Sequence, residues 1–346
     1  MESGTFAAIP APERQPKIML LALAVSFAML AVNPGPCAAG TGAPAADVCD
    51  IAVPDGVCNR ASSKLPIVQS DSQSDSQSDS AAASSSGEDS AAENELLEAV
   101  NQSRELAGVP PLRRNESLRV AALAHARRMV ESERLEHQLS GEPSLLERIA
   151  EASPMGSPVV IPKTSALTDA LKIDRAGENI AKATCAPGAN EVLMRSAPHR
   201  RNLLDRGFNV AGVAAIWSHG RLYVVQDFAH EVPSYSAEQS GKLVGRAVAE
   251  IRQEAGLPEL VQLTPPNLDE AACSLARENR PNAHLLAAAY DNRKIITYTQ
   301  SRPEVLPQGA LRLLRDPGVQ QFAVGACYAR NAAYPTGMYW VAILLH

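Results

Sequence analysis

Two stretches of the chain resemble each other, and this internal similarity limits the folds that the chain can adopt. Residues 100–110 are VNQSRELAGVP and residues 248–258 are VAEIRQEAGLP, with a leucine two residues after each final proline. Downstream, residues 121–126 (AALAHA) resemble residues 271–276 (AACSLA). The distance between the two sets is too long for a solenoid repeat. We therefore expect a duplicated domain whose second copy is shorter.

The N-terminal region has the pattern of a secretory signal. A cationic lead-in precedes an apolar run over residues 18–32, and small residues follow around Cys37. This order predicts a signal peptide over residues 1–40 and a secreted or cell-envelope protein. The run is shorter than the ~20 residues that span a bilayer, which disfavours an uncleaved anchor. Pro36 disfavours a lipid anchor on Cys37.

A low-complexity stretch separates this region from the folded sequence. Residues 69–92 repeat Gln-Ser-Asp-Ser and continue through alanine and serine, a composition that buries too little apolar surface to offset the entropy of ordering. We predict a flexible linker there, after an N-terminal segment at 41–68 and before domains at 93–231 and 240–346. The chain is 45% hydrophobic, enough for two cores, and its net charge of −6 argues against a nucleic-acid partner.

The chain has six cysteines, and export would allow them to form lasting disulfides. We expect one disulfide between Cys49 and Cys58, across a short polar loop. We expect another between Cys273 and Cys327, within the second copy. Both pairs are hypotheses, because connectivity does not follow from sequence. If the signal is cleaved with Cys37, Cys185 is left as a partly buried free thiol.

Hydrophobic periodicity predicts two helices at the start of the first copy. Ser90 and Glu93 form a capping-box pattern, and the helix that follows ends near Gly108. The second helix is amphipathic, and its apolar face consists of Leu118, Ala121, Ala122, His125 and Met129. We interpret His125 as a core histidine held by a hydrogen bond rather than as a catalytic residue.

Strand patterns follow later in each copy. Residues 210–217 and 221–229 are β-rich and are joined by Ser-His-Gly, which predicts an antiparallel hairpin. A β-rich end recurs at 322–328 and 338–345. Residues 154–162 are rich in proline and small residues and predict a loop. Helices followed by a hairpin predict a mixed α/β domain.

The first copy carries a series of short motifs in a fixed order. They are Asn101-Gln-Ser-Arg104, His137, Arg148, Ala176-Gly-Glu-Asn-Ile-Ala181, Ser196-Ala-Pro-His199-Arg-Arg-Asn202, Gly212-Val and Tyr223-Val-Val-Gln-Asp-Phe-Ala229. With this series, residues 96–229 resemble the bacterial branch of the CAP superfamily, whose domain is also called the SCP domain. The resemblance implies an α/β fold, a three-layer α/β/α sandwich. A second, smaller and degenerate α/β CAP-like domain would follow it.

The resemblance also implies a functional cleft. It brings His137, Glu178 and His199 together, with Asn179 and Ser196 beside them. Two imidazoles and one carboxylate can hold Zn²⁺ while a fourth position is left for water, so we expect a divalent-metal site with these three ligands. Without metal, the same trio is a polar cleft.

The sequence departs from the family at two positions near this cleft. Ser196 stands where many CAP proteins have a second glutamate, and Leu193 stands where the family usually has tryptophan. The missing carboxylate weakens a general-base mechanism. Ser196 and His199 are also spaced as a nucleophilic pair, but a helix-capping role explains Ser196 better. Glu178 and Asn179 have a structural alternative, in which they bridge loop backbone groups.

These observations favour a non-enzymatic extracellular or envelope module that binds a lipid-like or cell-surface ligand. The alternative is a zinc-dependent hydrolase in which His137 and His199 bind the metal and Glu178 is a ligand or base. An arginine cluster near His199 fits either an anionic ligand or a solvated helix face; it consists of Arg195, Arg200, Arg201 and Arg206. The second copy lacks the Gly-Glu-Asn and Ser-x-x-His motifs, so we expect no active site there.

Overall fold

A computed structural model describes residues 87–153, 171–281, 283–287, 289–290 and 294–346. Its helices are α1 (Ser90–Leu106), α2 (Glu116–Ser132), α3 (Leu145–Ala152), α4 (Ala186–Arg195), α5 (Ala197–Leu203), α6 (Ala237–Glu254), α7 (Leu268–Arg277), α8 (Ala283–Ala287) and α9 (Gln308–Leu314). Its strands are β1 (Gly87–Glu88), β2 (Arg113–Arg114), β3 (Ile173–Ala183), β4 (Val210–Ser218), β5 (Arg221–Glu231), β6 (Val261–Leu263), β7 (Lys294–Gln300), β8 (Gln321–Asn331) and β9 (Tyr334–Leu345). We call residues 87–231 the N-terminal half and residues 237–346 the C-terminal half, since each contains one sheet.

The sheet of the N-terminal half is built around a hairpin. β4 and β5 pair antiparallel and are joined by His219 and Gly220, whose φ angles are 49° and 71°. Two successive positive φ angles are typical of the type I′ turn, which matches the twist of the strands. β3 pairs with β5 at one edge of the sheet, while β1 and β2 pair with β4 at the other. The hairpin predicted from the sequence is confirmed.

Helices cover both faces of this sheet, because successive strand residues point to opposite sides. Val224 and Phe228 pack in the cluster that contains α1 and α4, whereas Val225 and Ala229 pack against the α2 and α3 side. The fold is therefore the three-layer α/β/α sandwich that the resemblance implied. Gly212 allows α2 to approach β4, since a Cβ there would lie 2.1 Å from the backbone nitrogen of the helix.

The C-terminal half contains a second sheet with the order β6–β8–β9–β7. Helices α6 and α9 pack on one face, and α7 and α8 pack on the other. A disulfide between Cys273 on α7 and Cys327 on β8 ties helix to sheet. This disulfide was predicted and is confirmed.

One buried arginine occupies the same structural position in each half. Arg104 donates to four backbone carbonyls, those of Pro110, Leu203, Asp205 and Phe208. Arg252 also donates to four, those of Pro258, Leu314, Asp316 and Val319. Each arginine therefore fastens the end of one helix to the loop that follows a later helix. A buried guanidinium is compensated in this way by charge-assisted hydrogen bonds.

The two halves contact each other beside α3. Arg330 on β8 donates from Nη1 to the carbonyl of Ala150 at 2.8 Å. Lys172 lies just before β3, with its Nζ 4.0 Å from the ring centre of Tyr328 and 3.3 Å from the hydroxyl of Tyr339. These contacts join the C-terminal half to α3 and to the start of β3, the strand that carries Glu178.

The predicted start of the folded sequence needs correction. Residues 87–92 were assigned to the linker, but they form β1 and the beginning of α1. The N-cap of α1 is Asp89 rather than Ser90, because the Asp89 carboxylate accepts from the backbone nitrogen of Ala92. Glu93 is buried and forms an ion pair with Arg119 instead of completing a capping box.

Several predictions fall outside the described residues. They concern the signal peptide at 1–40, the segment at 41–68 with the Cys49–Cys58 pair, the linker over 69–86 and the loop at 154–162. No helix among the described residues is long and apolar enough to cross a bilayer.

Cys185 is not the free thiol that the sequence suggested. It is disulfide-bonded, and its sulfur also accepts from the backbone nitrogen of Gly188 at the start of α4. Since Cys273 and Cys327 bond to each other, the partner of Cys185 lies outside the described residues. The prediction that Cys185 is the unpaired cysteine was therefore wrong.

Candidate functional site

The three residues of the predicted cleft lie together. His137 comes from the segment between α2 and α3, Glu178 from the edge strand β3, and His199 from α5. All three line one open cleft of about 380 Å³. The ring centres of His137 and His199 are 6.3 Å apart. The cleft therefore forms where three separate elements meet at the edge of the sheet.

Glu178 is held from two sides. Nδ1 of His137 lies 2.9 Å from its Oε1, and Nη2 of Arg148 donates to its Oε2. Burial acts to raise the pKa of Glu178, but the hydrogen bond from His137 and the charge of Arg148 outweigh it and hold the pKa below its ordinary value. Glu178 is therefore a carboxylate at neutral pH and a weak proton acceptor.

A second carboxylate, Glu142, and a third histidine, His125, lie directly behind Glu178. Nδ1 of His125 is 2.8 Å from Oε1 of Glu142, and its Nε2 is 4.0 Å from Oε1 of Glu178. Nη1 of Arg148 lies 3.8 Å from Oε2 of Glu142. His125 is fully buried and hydrogen-bonded, as the sequence analysis expected of a core histidine. Its position next to Glu178 was not expected.

Asp227 completes this group and was missed by the sequence analysis. It pairs with Glu178 across the β3–β5 ladder and is fully buried. Burial, together with the charge of Glu178, raises the pKa of Asp227 well above its ordinary value, which favours the neutral form of this carboxyl. Strand periodicity could have found it, because Val225 and Ala229 on either side also face inward.

We call His125, Glu142, Arg148, Glu178 and Asp227 the buried ionic cluster. Four of them come from parts of the chain far apart in sequence, and Glu142 comes from an irregular segment with no periodic signal. Ionisable residues are seldom buried without a partner. Here Arg148 is the partner that makes two buried carboxylates tolerable.

Asn179 has the structural role that the sequence analysis left open. Its Nδ2 donates to the carbonyl of His199 at 3.2 Å, and its Oδ1 accepts from Asn202 at 3.0 Å. Asn202 also donates to the backbone carbonyl of Glu178. The two asparagines therefore fasten α5 to β3 and fix the distance between the two sides of the cleft.

Ser196 is buried at the junction of α4 and α5, where it occupies the N-cap position of α5. Its side chain makes no capping hydrogen bond. Ser196 therefore stands at the predicted N-cap position but does not cap the helix with its hydroxyl group. The helix begins at Ala197, directly after Ser196. Leu193, at the position where the family usually has tryptophan, lies on α4 and is fully buried in the core that this helix covers.

The arginine cluster near His199 is largely engaged with the protein itself. Arg195 pairs with Glu191, Arg200 donates to the carbonyl of Met194, and Arg206 donates to the carbonyl of Gly108. These bonds favour the interpretation as a solvated surface with structural contacts.

The three-ligand zinc site is tested by these contacts. Both oxygens of Glu178 already receive hydrogen bonds, and Arg148 places a positive charge beside it. Among the described residues, no group of three His, Cys, Asp or Glu is placed to hold a metal ion. The residues fit two imidazole ligands, with Glu178 orienting His137 as an outer partner. They do not fit the predicted set of three, and the metal site stays a prediction.

The sandwich and its cleft define the class of protein to which this half belongs. Residues 97–228 match the model of the CAP family, described as the cysteine-rich secretory protein family. Residues 97–228 are therefore a CAP domain, as the sequence analysis concluded. No curated protein matches the chain.

Solved structures of low identity are also similar to part of the chain. One is an extracellular protein containing an SCP domain from Bacillus anthracis, with 20% identity, 40% of each chain covered and a TM-score of 0.32. Another is an outer surface protein of Borrelia burgdorferi, with 14% identity, 41% of this chain and 95% of that chain covered, and a TM-score of 0.34. The match spans less than half of the Bacillus protein, and the assignment of the domain depends on the family model.

Proposed function

We propose that the CAP domain is an extracellular or cell-envelope binding module. Its cleft takes a polar group of a lipid-like or cell-surface ligand. The observation that carries this proposal is the state of Glu178, whose two oxygens are both engaged by neighbouring side chains. A carboxylate with a lowered pKa and no free oxygen is poorly suited to accept a proton in a reaction.

The lining of the cleft indicates the chemistry of the group that it would bind. His137, His199, Gln138 and Asn202 contribute imidazole and amide groups, and Leu145 and Pro198 contribute apolar edges. Because the buried ionic cluster and the two asparagines fix these groups, little ordering entropy is lost when a ligand binds. The fitting ligand groups are hydroxyls and phosphate oxygens, as in head groups and sugars.

Export of the protein is supported by its cysteine chemistry. The Cys273–Cys327 disulfide and the bonded Cys185 require an oxidising compartment to persist. The predicted signal peptide agrees with such a location.

Histidine side-chain NMR on the full chain tests this function. Glycerol phosphate and an N-acetylglucosamine oligosaccharide are the probes, and His219, exposed on the hairpin turn, is the internal control. We expect at least one probe to shift the imidazole signals of His137 and His199 saturably while the His219 signal stays in place. The proposal fails if neither probe gives a saturable shift, or if His219 moves equally.

One observation favours the alternative, a metal-dependent hydrolase. The Nδ1 of His137 is bonded to Glu178, which leaves Nε2 for a ligand near the His199 ring. A metal held there would polarise a bound carbonyl or lower the pKa of a water. The residues of this chain that would hold it are His137 and His199.

Calorimetric titration with Zn²⁺ separates the two functions. The full chain is compared with the His137→Ala/His199→Ala variant and with His219→Ala as a matched control. Stoichiometric binding lost only in the double variant, together with ester hydrolysis that chelation abolishes, would replace the binding module by the hydrolase. Absence of binding in the unaltered chain removes the hydrolase.

A further inference from the structure

Corresponding groups occupy corresponding positions in the two halves. Each half has a short parallel strand, a hairpin and an antiparallel edge strand in the same order. Each has a glycine on the first hairpin strand beneath a helix: a Cβ at Gly212 would lie 2.1 Å from a helix backbone nitrogen, and one at Gly325 would lie 2.3 Å from a helix carbonyl oxygen. With the two buried arginines, these features indicate two copies of one fold.

Strand register gives the counterparts of the buried carboxylates. The glycine of the first hairpin pairs with Asp227, which in turn pairs with Glu178. The glycine of the second hairpin pairs with Ala342, which in turn pairs with Thr297. Thr297 therefore stands at the place of Glu178, and Ala342 at the place of Asp227.

Two ion pairs give the same alignment independently. Arg175, three residues before Glu178, pairs with Asp205. Lys294, three residues before Thr297, pairs with Asp316. The two aspartates are also matched, because each has a carbonyl that accepts from the buried arginine of its half.

The same arginines align α5 with α9. The carbonyls of Leu203 and Leu314 accept from equivalent nitrogens of Arg104 and Arg252. Counting back along each helix gives three matched pairs: His199 with Ala310, Asn202 with Leu313, and Pro198 with Gly309.

A second cleft, of about 630 Å³, lies at the matched place in the C-terminal half. Its lining includes the counterparts of four residues of the first cleft, namely Thr297, Gly309, Ala310 and Leu313. Where the first cleft has carboxylate, imidazole and amide groups, the second has a hydroxyl, a methyl and an isobutyl group. The copy has kept a cleft at this place but has lost the ionisable and amide groups there.

The edge of the second cleft has a positive charge. Arg280 lines it and is exposed, and no Asp or Glu is among its described lining residues. Ile295, Ile296 and two prolines supply further apolar lining. His284 and the hydroxyl of Thr297 also line the cleft, whose walls are otherwise mainly apolar. Apolar walls with a guanidinium at the edge complement a hydrocarbon chain that ends in an anion.

We propose that the second cleft binds one long-chain carboxylate, with the hydrocarbon along the α9 side and the carboxylate at Arg280. A volume of about 630 Å³ is within the range of small-molecule sites. This site is distinct from the first cleft, and its existence does not depend on the function proposed for that cleft.

A naturally fluorescent long-chain carboxylate, cis-parinarate, tests the proposal when it is titrated into the full chain. Gly309→Leu should fill the cleft without a clash, because a Cβ at Gly309 meets no heavy atom within 4 Å. We expect this variant to weaken binding about tenfold or more. The matched control is Gly87→Leu, which also meets no heavy atom within 4 Å and lies outside both clefts, and it should leave binding unchanged. Arg280→Gln should weaken binding and remove the preference for the carboxylate over the corresponding alcohol.

Thermal unfolding of each variant shows whether it is folded. If Gly309→Leu is not, Leu313→Asn replaces it, since it introduces the residue of the first cleft and should also weaken binding. Full affinity in the folded variants, or an equal loss of affinity in Gly87→Leu, would overturn the proposal. So would binding of the chain to phosphatidylglycerol vesicles without any binding of free cis-parinarate, because the ligand would then be a membrane surface.

Discussion

The triple variant His125→Leu/Glu178→Thr/Asp227→Ala replaces three members of the buried ionic cluster by their counterparts in the C-terminal half. The counterparts are Leu275, Thr297 and Ala342, and all three sit in or beside an apolar core there. If the two halves are copies of one fold, this fold does not need the cluster. The variant should then fold with an intact first sheet and a cleft that has lost its function.

The expected change in the free energy of unfolding depends on which buried charges remain in the triple variant. After the three changes, Arg148 still has Glu142 at 3.8 Å, so no buried charge is left without a partner. Lost volume costs ~1 kcal/mol for each methyl-sized void, while removal of a buried ionic group is often neutral or stabilising by ~1–4 kcal/mol. We expect the free energy of unfolding to stay within ~2 kcal/mol of the unaltered chain. Arg148→Met alone leaves the buried carboxylates Glu142 and Glu178 without their shared guanidinium and should cost about 3–5 kcal/mol.

Urea unfolding compares the stability of the triple variant with that of Arg148→Met and of the unaltered chain. The chain has two tryptophans, Trp217 in the first sheet and Trp340 in the second, so fluorescence follows both halves. Far-UV circular dichroism provides an independent probe of the same transition. If the triple variant loses as much stability as Arg148→Met, the cluster supports the fold itself, and the reasoning is refuted.

Three further predictions concern stability. Asp89→Ala should lower the free energy of unfolding by about 1 kcal/mol, while Asp89→Asn keeps the helix cap. Hydrogen bonds from Ala92 and Trp217 outweigh burial and lower the pKa of Asp89. The stability that the Asp89 carboxylate contributes is therefore complete above its unfolded pKa of ~3.9 and is lost as the pH falls through its folded pKa. An Asp89→Asn chain titrated in parallel should not show this loss of stability. Replacing Cys273 and Cys327 by alanine opens a 54-residue separation and should cost about 4 kcal/mol, and equal melting of the two chains would contradict this. Arg104→Met and Arg252→Met each leave four carbonyls without their donor and should each cost on the order of 3 kcal/mol in urea unfolding; a cost in only one half would show that the two arginines are not equivalent.

Local pattern was sufficient to predict the framework of the first half. The stripe from Leu118 to Met129 is buried as periodicity requires, and the two strands of the hairpin pair across His219 and Gly220. The N-cap of α1 was not predicted correctly, because Asp89 and Ser90 are both good N-cap residues. The structure shows that Asp89 accepts the hydrogen bond from the backbone nitrogen of Ala92.

The site was predicted only in part, and the resemblance supplied most of that part. His137, Glu178 and His199 line one cleft. The contact between Glu142 and His125 was not predicted, because Glu142 lies in the irregular segment between α2 and α3. Such a segment has no periodic pattern from which its path could be inferred. The bonded state of Cys185 was also missed, since connectivity is a long-range property that spacing does not encode.

The hydrogen bond from Arg330 to Ala150 has a consequence for how the chain melts. A protein cut after β5 would keep every residue of the first cleft but would lose the donor at the end of α3. It would also expose Lys172 without the two tyrosines that now surround its ammonium group. Since α3 carries the arginine that neutralises Glu178, loosening this helix leaves a charge without its counterion. We therefore expect the two halves to unfold cooperatively, and calorimetry of the full chain should show both of them unfolding in a single endotherm.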